Sequence, residues 1–187
     1  MLTMRLMGTM LLMAVLSACS TMAPKYNSNF DNVVALRGQQ LNAIKVGDIT
    51  KEPGAKTNVN KLTIRAGDYA SPYGSFTAYL QNALKQELDD ARLLDPNSSL
   101  QVSGVLLSNE LDASGAVKAY AAVKARFVVQ ESGAVKYDAV KSARYDWDSN
   151  FVGAVAIPRA NQNYPVVIQR LLTALFTDPE FITAIKK

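Results

Sequence analysis

The sequence predicts an α+β domain, a two-layer sandwich in which a mainly antiparallel sheet has two helices packed on one face. Three observations lead there. Two adjacent runs between 118 and 148 alternate apolar with polar residues, a run from 76 to 91 repeats its apolar residues at spacings of three and four, and a second helical run closes the chain. Period two marks a strand with one face buried, and period 3.6 marks a helix with one stripe buried. Sheet and helices must therefore cover each other's apolar sides.

Taken in order, residues 20–32, "STMAPKYNSNFDN", are polar, contain Pro24 and hold no sustained period, which predicts a tether. "LNAIKVGDI" at 41–49 supports a strand, and Leu62 with Ile64 another, with a loop rich in Pro, Gly and Asn between them. Phe76, Leu80, Ala83, Leu84, Leu88 and Ala91 form one helical stripe, starting near Ser71 or Ser75 and ending before Pro96. Gln81, Lys85, Gln86 and Asp89 take the opposite face. "SLQVSGVLLSNEL" then reads as a central strand, with Val105, Leu106 and Leu107 apolar on both faces as if covered on both sides.

The alternating runs follow. Ala119, Ala121, Val123, Ala125, Phe127 and Val129 line the apolar face of one strand, while Val135, Tyr137, Ala139, Ala143, Tyr145 and Trp147 line that of the next. A three-residue hairpin loop with Gly133 in the left-handed region would set Gln130 opposite Ala134. Phe127 would then face Tyr137 in the core, with Arg126 facing Asp138 and Lys118 facing Asp146 in water. Residues 157–165, "IPRANQNYP", read as a loop whose Arg159 and Tyr164 are candidate interface residues, being types favoured at protein contacts. Beyond it a helix is capped by Asn161 or Asn163, with Ile168, Leu171, Leu172 and Leu175 buried, and Asp178-Pro179-Glu180 starts a short terminal helix.

The front end sets the compartment. Arg5 precedes an apolar run from Leu6 to Leu16, and small residues follow it, the layout of a secretory signal peptide over residues 1–18. As a helix that run reaches about 16 Å, half of a hydrocarbon core of about 30 Å, so it is too short to remain as a span. Leu16-Ser17-Ala18-Cys19 resembles a bacterial lipobox, which implies cleavage before Cys19 and acylation of its thiol. Residues 19–32 would be a lipidated tether and 33–187 a single periplasmic domain.

Composition narrows the chemistry. Twenty basic and sixteen acidic residues give a net charge of +4, scattered rather than clustered, so nucleic acid is not an expected partner. The chain has no histidine, and its one cysteine is the proposed lipid site. Ser-His-Asp and Cys-His arrangements, His/Cys zinc sites and structural disulfides are thereby excluded. Asp89-Asp90, Asp146 and Asp148 come nearest to acid–base pairs, but they lie beside lysine and arginine or at a solvated helix end. No catalytic residue, metal ligand or cofactor is assigned.

The lipobox at Cys19, the helix from Phe76 to Leu88 leading into "LQVSGVL", the hairpin around Gly133 and the closing helix from Tyr164 to Phe176 together resemble a group of small Gram-negative envelope lipoproteins. This group is the YajG-like family together with auxiliary lipoproteins of lipid-transport and lipopolysaccharide-assembly systems. The resemblance implies a lipid on Cys19, and Ser20 in place of aspartate implies the outer membrane, with the domain facing the periplasm. The expected function is a non-enzymatic outer-membrane lipoprotein acting as an accessory or scaffolding subunit beside an envelope protein partner. The alternative is a periplasmic binding module for a lipid or cell-wall ligand. A deep apolar cavity between helices and sheet would favour the alternative, and a closed core with exposed apolar residues the first reading.

Overall fold

The computed structural model describes residues 20–54 and 58–187, so the signal peptide and Cys19 lie outside the described residues. The elements run β1 (Ser20–Met22), α1 (Phe30–Arg37), β2 (Lys45–Lys51), β3 (Leu62–Ile64), β4 (Gly67–Ala70), α2 (Phe76–Asp90), β5 (Leu100–Asp112), β6 (Lys118–Glu131), β7 (Ala134–Asp148), α3 (Gly153–Phe176) and α4 (Pro179–Ile185).

Strands β2-β5-β6-β7 form the main sheet, with β2 parallel to β5 and the remaining neighbours antiparallel. On β6 the residues Ala119, Ala121, Val123, Ala125, Phe127 and Val129 are all buried. Above them lie α3, which covers β6 and β7, and α2, which covers β2. The other face stays open, so the α+β sandwich expected from the alternating runs is the architecture found. Among the described residues it carries four helices, two more than the pair expected on the sheet face, and a second small sheet of order β1-β4-β3.

The β6–β7 hairpin differs from expectation in its turn. Ser132 (φ 49) and Gly133 (φ 87) both occupy the left-handed region, which makes a two-residue loop that closes Glu131 on Ala134. A bulge between Val129 and Gln130 then skips Lys136, since Gln130 faces Val135 and Val129 faces Tyr137. The shorter loop and the bulge each move the partner along by one residue. Phe127 thus faces Ala139 instead of Tyr137, and Lys118 faces Asp148 instead of Asp146. Because the displacement is two, every side chain keeps its face. Arg126 still pairs with Asp138, now on the diagonal, and Lys118 Nζ lies 2.6 Å from Asp148 Oδ1.

In β5 the run Val105-Leu106-Leu107 is a bulge rather than a strand covered on both sides. Leu106 is buried opposite Ala125, Val105 faces Arg126 on the open side, and Leu107 is the extra residue before Ser108 resumes pairing with Lys124. Gly104 sits just ahead of it, where a Cβ would come within 2.6 Å of the Arg126 carbonyl oxygen and 3.1 Å of Ile49 Cδ1. Gly104→Ala is therefore expected to push β6 away and cost about 1–3 kcal/mol of stability. An unchanged urea midpoint for this variant would refute that close approach.

Two further expectations are corrected. Residues 20–32 are not a free tether: β1 pairs in parallel with β4, Ala23 and Tyr26 are buried, and Asn29 caps α1, which packs on both α2 and α3. Residues 157–165 are not a loop, because α3 runs unbroken from Gly153 through Pro158 and Pro165. Each proline removes one i→i−4 bond. Burial of Ala156, Ala160, Tyr164, Val167, Ile168 and Leu171 along one stripe outweighs that loss.

Candidate functional site

The N-terminal segment is fastened to the domain by one carboxylate. Glu87 lies on the apolar stripe of α2, four residues from Ala83 and three from Leu84, and is wholly buried. Its Oε1 accepts from Tyr26 Oη at 2.5 Å, from the Asn29 N–H at 2.9 Å and from Asn32 Nδ2 at 3.3 Å. Burial raises the pKa of Glu87, and the bonds from Tyr26, Asn29 and Asn32 offset this only in part. Its Oε2 has no partner in the structure. Around this centre Thr173 Oγ1 donates to Asn32 Oδ1, Gln169 Nε2 donates to the Asn27 carbonyl, and Ser28 Oγ donates to Asp90 Oδ2. The chain leaving residue 20 is thus locked to α2 and α3 within about a dozen residues of the lipobox.

The open face of the main sheet is a lattice of paired charges. Lys118 binds Asp148, Arg126 binds Asp138, and Arg144 binds Asp146 while stacking 3.7 Å above the Tyr120 ring centroid. These partners hold Asp138, Asp146 and Asp148 below the usual carboxylate range, through hydrogen bonds from Arg126, Arg144 and Lys118 respectively. Asp146 and Asp148 are therefore ionised and committed to their partners, which is not the split pair that acid–base chemistry requires. Among them Val140 is exposed, with Val105, Ala122 and Val128 half-buried.

On the covered side of β7, Lys141 Nζ meets Asp178 Oδ2 at 2.5 Å, and Tyr137 Oη donates to the same oxygen at 2.8 Å. Burial pushes the Asp178 carboxyl up, but Lys141, Tyr137 and the Glu180 N–H together leave it below its ordinary value. Asp178 also caps α4, so one side chain fixes that helix against the sheet edge.

The two candidate interface residues separate. Arg159 is exposed on α3, where its Nη1 donates to the Asp148 carbonyl at 3.2 Å. Tyr164 is 1% exposed and belongs to the core. Its ring centroid lies 5.3 Å from Phe76, 5.4 Å from Tyr69 and 5.8 Å from Tyr79, and its hydroxyl donates to Asn109 Oδ1 at 3.0 Å. The helical register of α3 turns Tyr164 inward, since it falls on the stripe of Ala160 and Ile168. Glu87 is absent from the sequence-based candidates, although its place between Leu84 and Leu88 on an apolar stripe is a readable signal.

A groove of about 720 Å³ lies between the β6–β7 hairpin and α4, with Glu131, Lys136, Asp138, Glu180, Thr183 and Lys186 in its walls. Its walls are mostly charged or polar, unlike those of an apolar ligand cavity. Among the described residues no helix is long and apolar enough to cross a membrane.

The fold and these surfaces define a class: a small α+β sandwich with one sheet face open and its N-terminal segment clamped to the helical layer. Neither a protein-family model nor a curated protein sequence matches the chain. Among solved structures, protein XCC0632 from Xanthomonas campestris, of family DUF330, is similar with a TM-score of 0.56 at 11% identity, covering 84% of this chain and 96% of that one. The hypothetical protein CT253 from Chlamydia trachomatis is similar at a TM-score of 0.42 and 9% identity, covering 73% of this chain and 96% of that one. The likeness to XCC0632 establishes a shared fold.

Proposed function

We propose that this chain is a non-enzymatic outer-membrane lipoprotein whose periplasmic domain is an accessory or scaffolding subunit of the cell envelope, akin to the YajG-like and transport-auxiliary lipoproteins. The observation that carries the reading is the abutment of the lipobox on the fold. Ser20, the residue after Cys19, is already in a strand, so a lipid on Cys19 would hold a folded body against the bilayer instead of trailing it on a leash. The filled core supports an accessory role over a lipid-binding one. Phe127, Phe176, Phe181, Leu80 and Leu84 fill the space between sheet and helices, and the groove beside α4 is polar.

Two acyl chains or more hold a protein stably, at about 0.8 kcal/mol per buried methylene. Cys19→Ser is therefore expected to abolish incorporation of labelled palmitate and to move the chain from the membrane to the soluble fraction. Unchanged fractionation would sink the anchor. Crosslinking in intact cells then tests the accessory role, with recovery of an envelope protein expected. Copurifying lipid without any captured protein would point to the binding-module reading instead.

A further inference from the structure

One pole of the sandwich gathers three connections. Arg65, at φ 58 in the β3–β4 turn, ties them together: its guanidinium donates to the carbonyls of Ser114 at 3.0 Å, Gly115 at 3.5 Å and Asn150 at 2.5 Å. Those acceptors belong to the β5–β6 turn and the β7–α3 loop, which the Ser149 N–H also joins by donating to the Val117 carbonyl at 2.8 Å. Here the protein turns apolar side chains into water. Phe151 is 81% exposed, Val117 72% and Val152 53%, and Val155 on the first turn of α3 is exposed as well. The stretch 151–158, "FVGAVAIP", holds no charged residue.

The chain arrives at this same pole. Ser20 lies opposite Asp68, beside the β3–β4 turn, and Thr21 shares a cleft with Ile64, Arg65 and Ile157 of α3. Cys19 is one residue further, about 3.8 Å from Cα to Cα. A lipid on that residue has no spacer by which to hold the pole away from the bilayer.

We propose that Val117, Phe151 and Val152 form a membrane-contacting pole that inserts into the interface of the bilayer in which the acyl chains on Cys19 are embedded. This rests on the lipid-anchor reading above. The occupant is a lipid surface and not a protein because the apolar tips are continuous with the point where the anchor leaves the fold. Of the nearby charges, Lys118 pairs with Asp148, while Arg159 and Arg65 donate to backbone carbonyls and keep their positive charge. Contact is driven by burial of the exposed Phe151, Val117 and Val152, a contribution that does not weaken with salt as headgroup attraction would.

The test uses the complete lipidated chain in vesicles of phosphatidylethanolamine and phosphatidylglycerol. Its one natural thiol is consumed by the anchor, so a single introduced cysteine is labelled uniquely. Phe151→Cys, Val117→Cys and, on the open sheet face, Val140→Cys each receive a polarity-sensitive fluorophore. Blue-shifted emission and quenching by spin-labelled acyl chains are expected at 151 and 117, unchanged at high salt, with water-like emission at 140. Water-like emission at 151 and 117 in vesicles that carry the protein overturns the pole while leaving the anchor standing. Equal quenching at 140 also overturns it, since the sheet face would then lie on the membrane. A chain absent from the floated vesicles removes the anchor, and the pole falls with it.

Discussion

Tyr164→Ala is expected to lower the free energy of unfolding by about 3–5 kcal/mol, whereas Arg159→Ala changes it by less than about 0.5 kcal/mol. Tyr164 stands where β4, α2 and α3 meet, in edge contact with Tyr69, Phe76 and Tyr79. Truncation removes those ring contacts and leaves a cavity between rigid neighbours. It also strips the donor from Asn109 Oδ1, whose own Nδ2 holds the Val59 carbonyl at 3.0 Å. Tyr164→Phe separates the two parts, because it keeps the ring and loses only the hydroxyl, at about 1–3 kcal/mol for the stranded acceptor. A domain of this size has about 5–15 kcal/mol in all, so the alanine variant should also accumulate poorly in cells. Denaturant midpoints for the three variants decide the matter; equal losses at 159 and 164 would contradict the burial of Tyr164.

Glu87→Ala is the second large effect. It strands the Tyr26 hydroxyl, the Asn29 N–H and one Asn32 amide proton, each costing about 1–3 kcal/mol when buried without a partner, so a loss above about 3 kcal/mol is expected in sum. A carboxyl whose native pKa is raised binds its proton more readily in the fold than in the unfolded chain. Stability conferred by the protonated form is then complete below the ordinary value of 4.5 and declines as pH climbs through the raised native value. Glu87→Gln is expected to flatten this slope, since it cannot ionise, while keeping an acceptor for Tyr26. Chemical denaturation of wild type and both variants across acid to neutral pH measures it. A Glu87→Ala chain that melts like the parent would mean that β1 and the bonds of Asn27, Ser28 and Asn32 hold the N-terminal segment without Glu87.

What the sequence made legible followed from the length of each pattern. Thirteen or more residues of alternation fixed the faces of β6 and β7, and six apolar positions at helical spacing placed α2 with its start near Ser71 or Ser75, of which Ser75 is the cap. The register within the hairpin was hidden, because a two-residue turn with a bulge and a three-residue turn without one put the same side chains on the same faces. β1 and β4 are three and four residues long, too short for a period to register. The start of α3 was masked by chemistry. Val152 offers no side-chain cap, and Pro158 and Pro165 resemble breakers, so the nine helical residues 157–165 read as loop and Tyr164 as a surface residue. The position of Glu87 on the apolar stripe of α2 is legible in the sequence, but its donors are not, because they are brought from 55 to 61 positions away.

The direction of β1 sets how the molecule bears load. The strand runs inward from the pole alongside β4, so tension at residue 20 acts along the strand and strains its hydrogen bonds simultaneously, in shear rather than peeling them one by one. Behind it, Tyr26 and Asn29 pass whatever remains to α2. Tugging from that end therefore loads the middle of the protein, and yielding there would mean dismantling the helical layer rather than spooling out slack.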